Sequence, residues 1–245
     1  MPALKLATFA SRRGVLARTV LLLCASAACS SSAHSPGAGS PEAGADGETE
    51  IDAGDAGPAC APASLGTWTP PPYHHGQPAQ AAACTSALLH DFYASCLGPS
   101  ASTSACDDNW GSGQDVPDIA HANCEQCLVT ASSSPTWGPV VNYGPTVSIN
   151  VSGCIELLDP SSETCAAAVQ DADECEHQAC DDACPALGEF DSCVTIADQG
   201  ACASFAQASA CQAAEVDGGR ASVCAGATFE DLFFAVANVF CGGSD

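Results

Sequence analysis

Basic side chains are nearly absent from this chain of 245 residues. It holds five Lys and Arg residues against 29 Asp and Glu residues, and four of the five bases precede residue 19. Phosphate groups are bound by clustered Lys and Arg side chains, so this composition excludes nucleic acid as a partner. The same shortage excludes electrostatic attraction to anionic lipid headgroups.

A long hydrophobic run is missing as well. The apolar segment at 20–23 is far too short for a membrane span, which needs about 20 residues. It follows the basic residues and precedes the small residues Ser26-Ala27-Ala28, an order typical of an export signal. Because Cys29 comes next, we expect residues 1–28 to be a lipoprotein signal peptide and Cys29 to be lipidated as the new N-terminus. Ordinary secretion, after cleavage at an A-x-A-like site, is the alternative.

Export would place the chain where disulfides form and persist. We therefore expect the protein in the cell envelope, at the outer membrane or cell surface, with the lipid as its membrane attachment. Without the signal peptide, 29 acidic residues stand against the single base Arg220, which gives a net charge near −28. Such a charge keeps a protein soluble but opposes compaction by self-repulsion. Covalent crosslinks are the obvious remedy.

Large apolar side chains are rare in the segment that follows the lipidation site. Residues 30–59 are almost all Ser, Ala, Gly, Pro or acidic residues, and Ile51 is the one sizeable apolar side chain among them. Such a segment cannot bury enough surface to order itself, so residues 29–59 are predicted to form a disordered acidic linker. Its Asp-Ala-Gly repeats at 52–57 resemble calcium-binding repeats, but the alternating large apolar residues of that pattern are missing. Residues 60–245 then form the folded domain.

Cysteine is the residue that this domain has in excess. The sixteen disulfide candidates are Cys60, Cys84, Cys96, Cys106, Cys124, Cys127, Cys154, Cys165, Cys175, Cys180, Cys184, Cys193, Cys202, Cys211, Cys224 and Cys241. Seven of them precede residue 155 and nine follow residue 164. If all are paired, at least one bridge crosses any boundary between those positions, which favours one stapled unit. The connectivity itself cannot be deduced from the sequence.

Hydrophobic periodicity predicts a mainly α, disulfide-rich domain with one small β-hairpin. The predicted helices cover residues 79–97, 119–130, 160–184, 190–198, 201–216 and 229–241. Thr228 and Asp231 resemble a capping box at the start of the last helix. Strict alternation over 146–152 predicts a strand, and residues 137–141 with the turn at 142–145 predict its partner.

Cys124-Glu-Gln-Cys127 is the one C-x-x-C motif of the chain. A redox pair of this kind needs a lowered thiol pKa, whereas Glu125 between the two cysteines would raise it. We therefore favour two separate structural bridges, with thiol-redox activity as the alternative.

Two segments of the predicted third helix contain residue types that bind metals. Cys175, His177, Cys180 and Cys184 could ligate zinc, although their spacing fits structural zinc sites poorly. The acidic cluster at 171–182 fails as an EF-hand because Glu176 stands where that loop needs glycine. A solvated acidic helix face is the preferred interpretation of the cluster, and weak calcium binding is the alternative.

The remaining candidates are isolated. Adjacent His74 and His75 point to opposite sides of an extended segment, so they chelate one metal poorly, and an exposed polar loop is preferred. His90 and His121 stand alone, and Asp107-Asp108 is the acid pair that a hydrolase would need. We assign no catalytic residue, metal or cofactor.

Three segments carry a family resemblance. Trp137-Gly-Pro-Val, Asn150-Val-Ser-Gly-Cys154-Ile and the cysteines from 165 to 184 resemble the uncharacterised cysteine-rich secreted lipoproteins of the myxobacterial type. The Asp-Ala-Gly linker is similar to theirs too. The resemblance implies export and a disulfide framework, and it supplies no catalytic residues.

These observations favour a non-enzymatic envelope lipoprotein, whose stapled domain is displayed on a flexible stalk for adhesion, ligand capture or structural display. Its extracellular ligand is not identified by the sequence. The alternative is an extracellular enzyme or thiol-redox protein that uses the Cys124/Cys127 pair. A weaker alternative is an envelope cation-binding protein that uses the acidic surface.

Overall fold

The computed structural model describes residues 60–110, 119–144, 146–184 and 187–242. The predicted signal peptide, Cys29 and the predicted linker lie outside these ranges. All described residues belong to one compact unit. The described part of the chain is mainly helical with a small sheet, which confirms the predicted fold class at that level.

Helices make up most of the described chain. They are α1 (Ser86–Phe92), α2 (Thr103–Trp110), α3 (Ile119–Leu128), α4 (Val151–Leu158), α5 (Glu163–Cys180), α6 (Leu187–Gln199), α7 (Ala203–Ala208), α8 (Cys211–Val216) and α9 (Phe229–Phe240). A π-helical turn, Tyr93–Leu97, continues α1. Short 3₁₀ turns precede α5 and α9, at Pro160–Ser162 and Ser222–Cys224.

Several predicted helix boundaries were wrong. Helix α1 begins seven residues later than residue 79, because Thr85 caps it by accepting a hydrogen bond from the Leu88 amide at 3.3 Å. The predicted helix at 201–216 is divided at Ser209, whose hydroxyl donates to the Ala206 carbonyl at 3.0 Å. A side-chain bond of this kind offers the backbone an alternative to continuing the helix. The capping box of Thr228 and Asp231 at α9 is confirmed.

The strands form two small sheets. The strands are β1 (His75–Gly76), β2 (Val129–Ala131), β3 (Thr136–Trp137), β4 (Val140–Asn142) and β5 (Val147–Ile149). The antiparallel pair β4–β5 is the predicted hairpin, and β2 adds to it in parallel, giving the order β2-β4-β5. Gly144 takes a positive φ of 98° in the turn, a conformation that glycine adopts without strain. Strand β1 pairs in parallel with β3.

The predicted strand over 146–152 ends three residues early. Asn150 caps α4 instead, because its Oδ1 accepts a hydrogen bond from the Gly153 amide at 2.8 Å. Val151 falls within the predicted strand, but it is the first residue of α4. Helix α4 was not predicted from the sequence.

The buried side chains of the described residues form two hydrophobic cores. The larger core joins α1, α2 and α9, where Phe92 stacks on Phe233 at 5.9 Å and meets Trp110 edge-on at 5.1 Å. The smaller core surrounds Phe190 of α6 and includes the partly buried Trp68 near the start of the domain. Helix α5 contributes residues to both cores, so it is the central element of the fold.

All sixteen cysteines that follow residue 59 are paired. The bridges are Cys60–Cys184, Cys84–Cys124, Cys96–Cys106, Cys127–Cys241, Cys154–Cys224, Cys165–Cys211, Cys175–Cys202 and Cys180–Cys193. The first, fourth and fifth of these cross the interval between residues 154 and 165, as the odd counts on its two sides required. The bridges thus join both halves of the chain into one unit.

Candidate functional site

Part of the buried surface of helix α5 is polar. Four of its residues and the residue that follows the helix share one face at helical spacing and form what we call the polar seam: Gln170, Asp173, Glu174, His177 and Asp181. Glu174 is 6% exposed and Glu176 is 1% exposed. The interpretation of this acidic cluster as a solvated helix face was therefore wrong for its middle part.

The β4–β5 hairpin lies over the seam and hydrogen-bonds to its carboxylates. Tyr143 donates its phenol proton to Asp173 Oδ2 at 3.2 Å. Ser148 donates its hydroxyl proton to Asp173 Oδ1 at 2.8 Å, and Thr146 donates to Asp181 Oδ1 at 2.6 Å. Since burying a carboxylate without donors is costly, these three side chains explain how two acids can lie beneath a hairpin.

His177 lies between the two carboxylates. Its Nδ1 is 3.0 Å from Thr146 Oγ1 and 3.1 Å from Asp181 Oδ1. The one hydroxyl hydrogen of Thr146 is donated to Asp181, so Thr146 has none to donate to His177. Nδ1 therefore carries a hydrogen, for which Thr146 Oγ1 and Asp181 Oδ1 are the acceptors within reach. Nε2 is 3.9 Å from Asp173 Oδ1, and no described residue hydrogen-bonds to it. The ring is 3% exposed, so both nitrogens face the protein interior.

Glu174 occupies the least favourable position for a negative charge. Gln170 Nε2 donates to its Oε1 at 3.3 Å, whereas its buried Oε2 has no hydrogen-bond partner within the described ranges. Burial, reinforced by the neighbouring Asp173 and Asp171, raises the pKa of Glu174 to about 8. Glu174 is therefore mostly protonated at neutral pH.

A series of stacked rings connects the seam to the segment around β1. His74 stacks on Trp137 at 4.7 Å, and Trp137 meets Tyr143 edge-on at 6.0 Å. Tyr143 stacks on His177 at 3.8 Å, which in turn contacts Phe190 of the smaller core at 5.3 Å. Burial, and then the nearby carboxylates, hold the pKa of the Tyr143 phenol far above its ordinary value.

A second polar cluster fixes the segment 73–76 on α4 through Glu156. His75 Nδ1 lies 2.6 Å from Glu156 Oε1, while the Gly76 amide and the Tyr73 phenol donate to Oε2 at 2.9 Å and 3.0 Å. The hydrogen bond to Glu156 and its charge raise the pKa of His75. Burial opposes the ionisation of Glu156, but the hydrogen bonds from Gly76, His75 and Tyr73 outweigh it and leave its pKa lowered.

The two adjacent histidines do not converge on one ligand. His74 directs Nδ1 to the Ser134 carbonyl at 2.6 Å, and its amide donates to Gln170 at 3.0 Å, whereas His75 turns to Glu156. Their opposite orientation agrees with the extended backbone expected there. His75 is exposed as predicted, at 54%, but it lies in strand β1 and not in a loop, and the prediction of exposure is wrong for the partly buried His74.

The cysteine motifs resolve into structural bridges. Cys124 pairs with Cys84, and Cys127 pairs with Cys241, so the C-x-x-C motif contains two separate bridges. Both of its sulfurs belong to buried residues. The three cysteines of the possible zinc set, Cys175, Cys180 and Cys184, each bond to a different partner. Disulfide sulfur is not the thiolate that zinc requires, so these residues do not form the zinc site considered from the sequence.

The other sequence candidates are dispersed over the domain. His90 contacts the Phe234 ring at 4.4 Å, and His121 lies 3.7 Å from Asp91. Asp107 and Asp108 are exposed on α2. Among the residues that the structure describes, no group of three or more His, Cys, Asp or Glu side chains is arranged to hold a metal ion.

Comparison with known proteins adds no relative. No family model, curated protein or solved structure matches this chain. In the ranges that the structure describes, none of the helices combines the length and the apolar character that crossing a bilayer requires. The site is therefore defined by its geometry alone: a buried seam of acids and one imidazole beneath a hairpin.

Proposed function

We propose that the chain is a non-enzymatic lipoprotein of the cell envelope. In this proposal Cys29 carries the lipid, residues 29–59 form an acidic stalk, and residues 60–245 form a disulfide-stapled domain. The domain is displayed for adhesion, ligand capture or structural display at the outer membrane or cell surface.

The pairing of all sixteen cysteines is the observation that carries this proposal. Such pairing suits an oxidising compartment outside the cytoplasm. The separate bridges of Cys124 and Cys127 count against the thiol-redox alternative, because neither sulfur has the other as its partner.

The direction of the polar side chains supports a structural role for the seam. The seam carboxylates of Asp173 and Asp181 bind hydroxyl groups of the hairpin, and Glu156 binds the segment around β1. These bonds connect elements of the domain to one another. A mature chain with a charge near −28 needs such internal bonds and bridges, since Arg220 is its one Lys or Arg residue available for ion pairs.

Lipidation is tested with the full chain expressed in a bacterium that has two membranes. Cells are fed an alkyne-labelled fatty acid, and the chain is compared with its Cys29→Ser and Cys24→Ser variants. We expect label and membrane association in the wild-type chain and in C24S, and the loss of both in C29S. An unlabelled wild-type chain in the medium would overturn the lipid anchor and favour ordinary secretion.

Display is tested on the same intact cells. Externally added protease or an impermeant carboxyl-reactive reagent reaches a domain on the cell surface and spares one that faces the periplasm. We expect modification of the wild-type chain without cell lysis. Protection until the outer membrane is opened would contradict surface display while leaving the lipid anchor intact.

A further inference from the structure

The contact between the hairpin and the seam depends on a carboxylate with two hydrogen-bond partners. Asp173 accepts hydrogen bonds from Tyr143 and Ser148, one on each oxygen, and so binds both the turn and strand β5 of the hairpin. Any additional negative charge beside Asp173 would repel this anchor. Glu174, the next residue along α5, is the group able to supply that charge.

Among the described residues, no Lys or Arg side chain lies against Glu174. On its own helix Asp171 and Asp173 flank it and His177 lies one turn further along the same face, while the hairpin presents the Tyr143 phenol to it. The segment around β1 reaches it through Gln170, which binds the His74 backbone. The titratable groups on the helices packed against α5 are acidic: Glu156, Glu189, Asp191, Asp198 and Glu215. Arg220 lies elsewhere, 4.0 Å from Asp159.

A protonated Glu174 is tolerated in this position, because a neutral carboxyl adds no charge beside Asp173. An ionised Glu174 would bury a charge whose Oε2 has no donor within the described part of the chain. Water is the remaining source of donors, and it reaches the seam when the hairpin moves away from α5. Proton loss and hairpin opening are therefore coupled.

We propose that the polar seam is a proton-dependent latch, which holds the β4–β5 hairpin on α5 while Glu174 is protonated and favours its release when Glu174 ionises. The latch makes one face of the displayed domain responsive to the pH outside the cell. The disulfides restrict the response, since the hairpin lies between Cys127 and Cys154, which are bridged to Cys241 and Cys224. The rest of the domain stays folded.

The sign of the effect follows from linkage. In the open state Glu174 returns towards its ordinary pKa of 4.5, whereas in the closed state its pKa is about 8. Between these two pKa values the open state binds fewer protons than the closed state. The equilibrium constant for hairpin opening therefore increases by about tenfold per pH unit and levels off above pH 8.

Hydrogen exchange of the oxidised full chain, followed by mass spectrometry from pH 5 to pH 9 and corrected for the intrinsic rate, tests the latch. We expect protection of peptides covering 140–149 to fall as pH rises in the wild-type chain. The fall should disappear in Glu174→Gln, which keeps a neutral side chain at every pH. Glu125→Gln is the matched control, since burial also raises the pKa of Glu125, on α3 away from the seam, and it should behave as wild type.

Two results would overturn the latch. One is a wild-type hairpin whose corrected protection is constant with pH, or falls equally in E174Q. The other is a parallel fall in α9 peptides, which would indicate opening of the whole domain. If E174Q does not fold, the wild-type chain alone still tests the latch, because the pH dependence of protection in its hairpin peptides can be compared with that in its α9 peptides.

Discussion

Glu174 and Glu156 show how local donors decide the state of a buried acid. Glu156 receives hydrogen bonds from three groups, and its pKa is lowered although burial opposes its ionisation. Glu174 receives one bond from Gln170 and faces other carboxylates, so its pKa is raised. The two residues have the same side chain, and their opposite behaviour follows from the number of donors and the sign of the neighbouring charges.

Replacing Glu156 by Gln should lower the pKa of His75, because the hydrogen bond and the charge that raise it are both weakened. The measurement is an NMR titration of the imidazole resonances, with His121 as the internal control. An unchanged His75 titration would contradict the pairing.

The same variant should also change the pH dependence of stability. The raised pKa of His75 stabilises the fold below about pH 6.5, and this contribution is lost as pH rises through the folded pKa. The lowered pKa of Glu156 stabilises the fold above about pH 4.5, and this contribution is lost as pH falls through the folded pKa. E156Q should therefore lower the free energy of unfolding most between about pH 4.5 and about pH 6.5.

The three tyrosines of the chain should resist ionisation in the native state. Burial is the largest cause of the raised pKa of Tyr73, Tyr93 and Tyr143, and nearby acids add to it. We expect the native protein at pH 10 to show much less phenolate absorbance near 295 nm than the unfolded chain, and the remaining phenols to ionise when alkali unfolds it. The reduced, unfolded chain is the control and should titrate near pH 10. Equal phenolate absorbance of the native and the unfolded chain at pH 10 would contradict the burial of the tyrosines.

Asn150 is the residue on which the junction of β5 and α4 depends. Its Oδ1 accepts from the Gly153 amide and the Ser152 hydroxyl, and its Nδ2 donates to the carbonyls of Trp137 and Gly138 at 3.1 Å and 3.0 Å. One side chain thus ends a strand, starts a helix and fixes the loop beside it. The residue is 3% exposed, so water does not replace these bonds.

Replacing Asn150 by Ala should cost about 3 kcal/mol or more, because it removes a cap and takes away the hydrogen-bond partner of the buried Gly138 carbonyl and of the Gly153 amide. Thr228→Ala is the matched control: it removes an exposed cap of α9 and should cost about 1 kcal/mol. Denaturant unfolding with the disulfides intact compares the two. Equal losses would mean that the junction tolerates the change.

Local signals predicted some elements well and others poorly. The capping box at Thr228 and Asp231 was recognisable because its two bonds lie within four residues. Helix α4 was missed because Val147, Ile149 and Val151 alternate as in a strand, and the side-chain bonds of Asn150 that break the strand are invisible in that pattern. Helix α2 has few apolar residues, so periodicity did not mark it.

The burial of the seam could not be predicted from α5 alone. Asp173 and Asp181 depend on Ser148 and Thr146, which lie 25 and 35 positions earlier in the chain. Acid-rich helical sequence is usually solvated, and the hydroxyl groups that compensate burial belong to another element. The one sequence feature that indicated the seam is the helical spacing of Gln170, Glu174 and His177, which places these three polar residues on one face of α5.

The whole molecule is held by bridges that span long stretches of chain. Cys60–Cys184 and Cys127–Cys241 join residues 124 and 114 positions apart. Restricting the unfolded chain in this way opposes the self-repulsion of a strongly acidic protein. Cysteine parity predicted that bridges would cross the middle of the chain, while the partners themselves required the structure.

Removing a long bridge should destabilise the domain more than removing a short one. In C127A/C241A the lost bridge spans 114 positions, and in the control C96A/C106A it spans 10. Because the longer loop loses more entropy when it is closed, the free energy of unfolding should fall by about 1–2 kcal/mol more in C127A/C241A than in C96A/C106A. This figure allows for the shortening of the loops by the remaining bridges. Thermal melts followed by circular dichroism compare the variants. Equal melting temperatures would contradict the entropic account.

The central claim is a lipid-anchored domain closed by structural disulfides. It is tested most directly by alkylation and intact mass spectrometry of the full chain, purified from bacterial membranes without reductant. The account predicts a chain that begins at an acylated Cys29, with none of the sixteen later cysteines alkylated before reduction and all of them alkylated after it. An unmodified Cys29, or free thiols that map to Cys124 and Cys127, would contradict it.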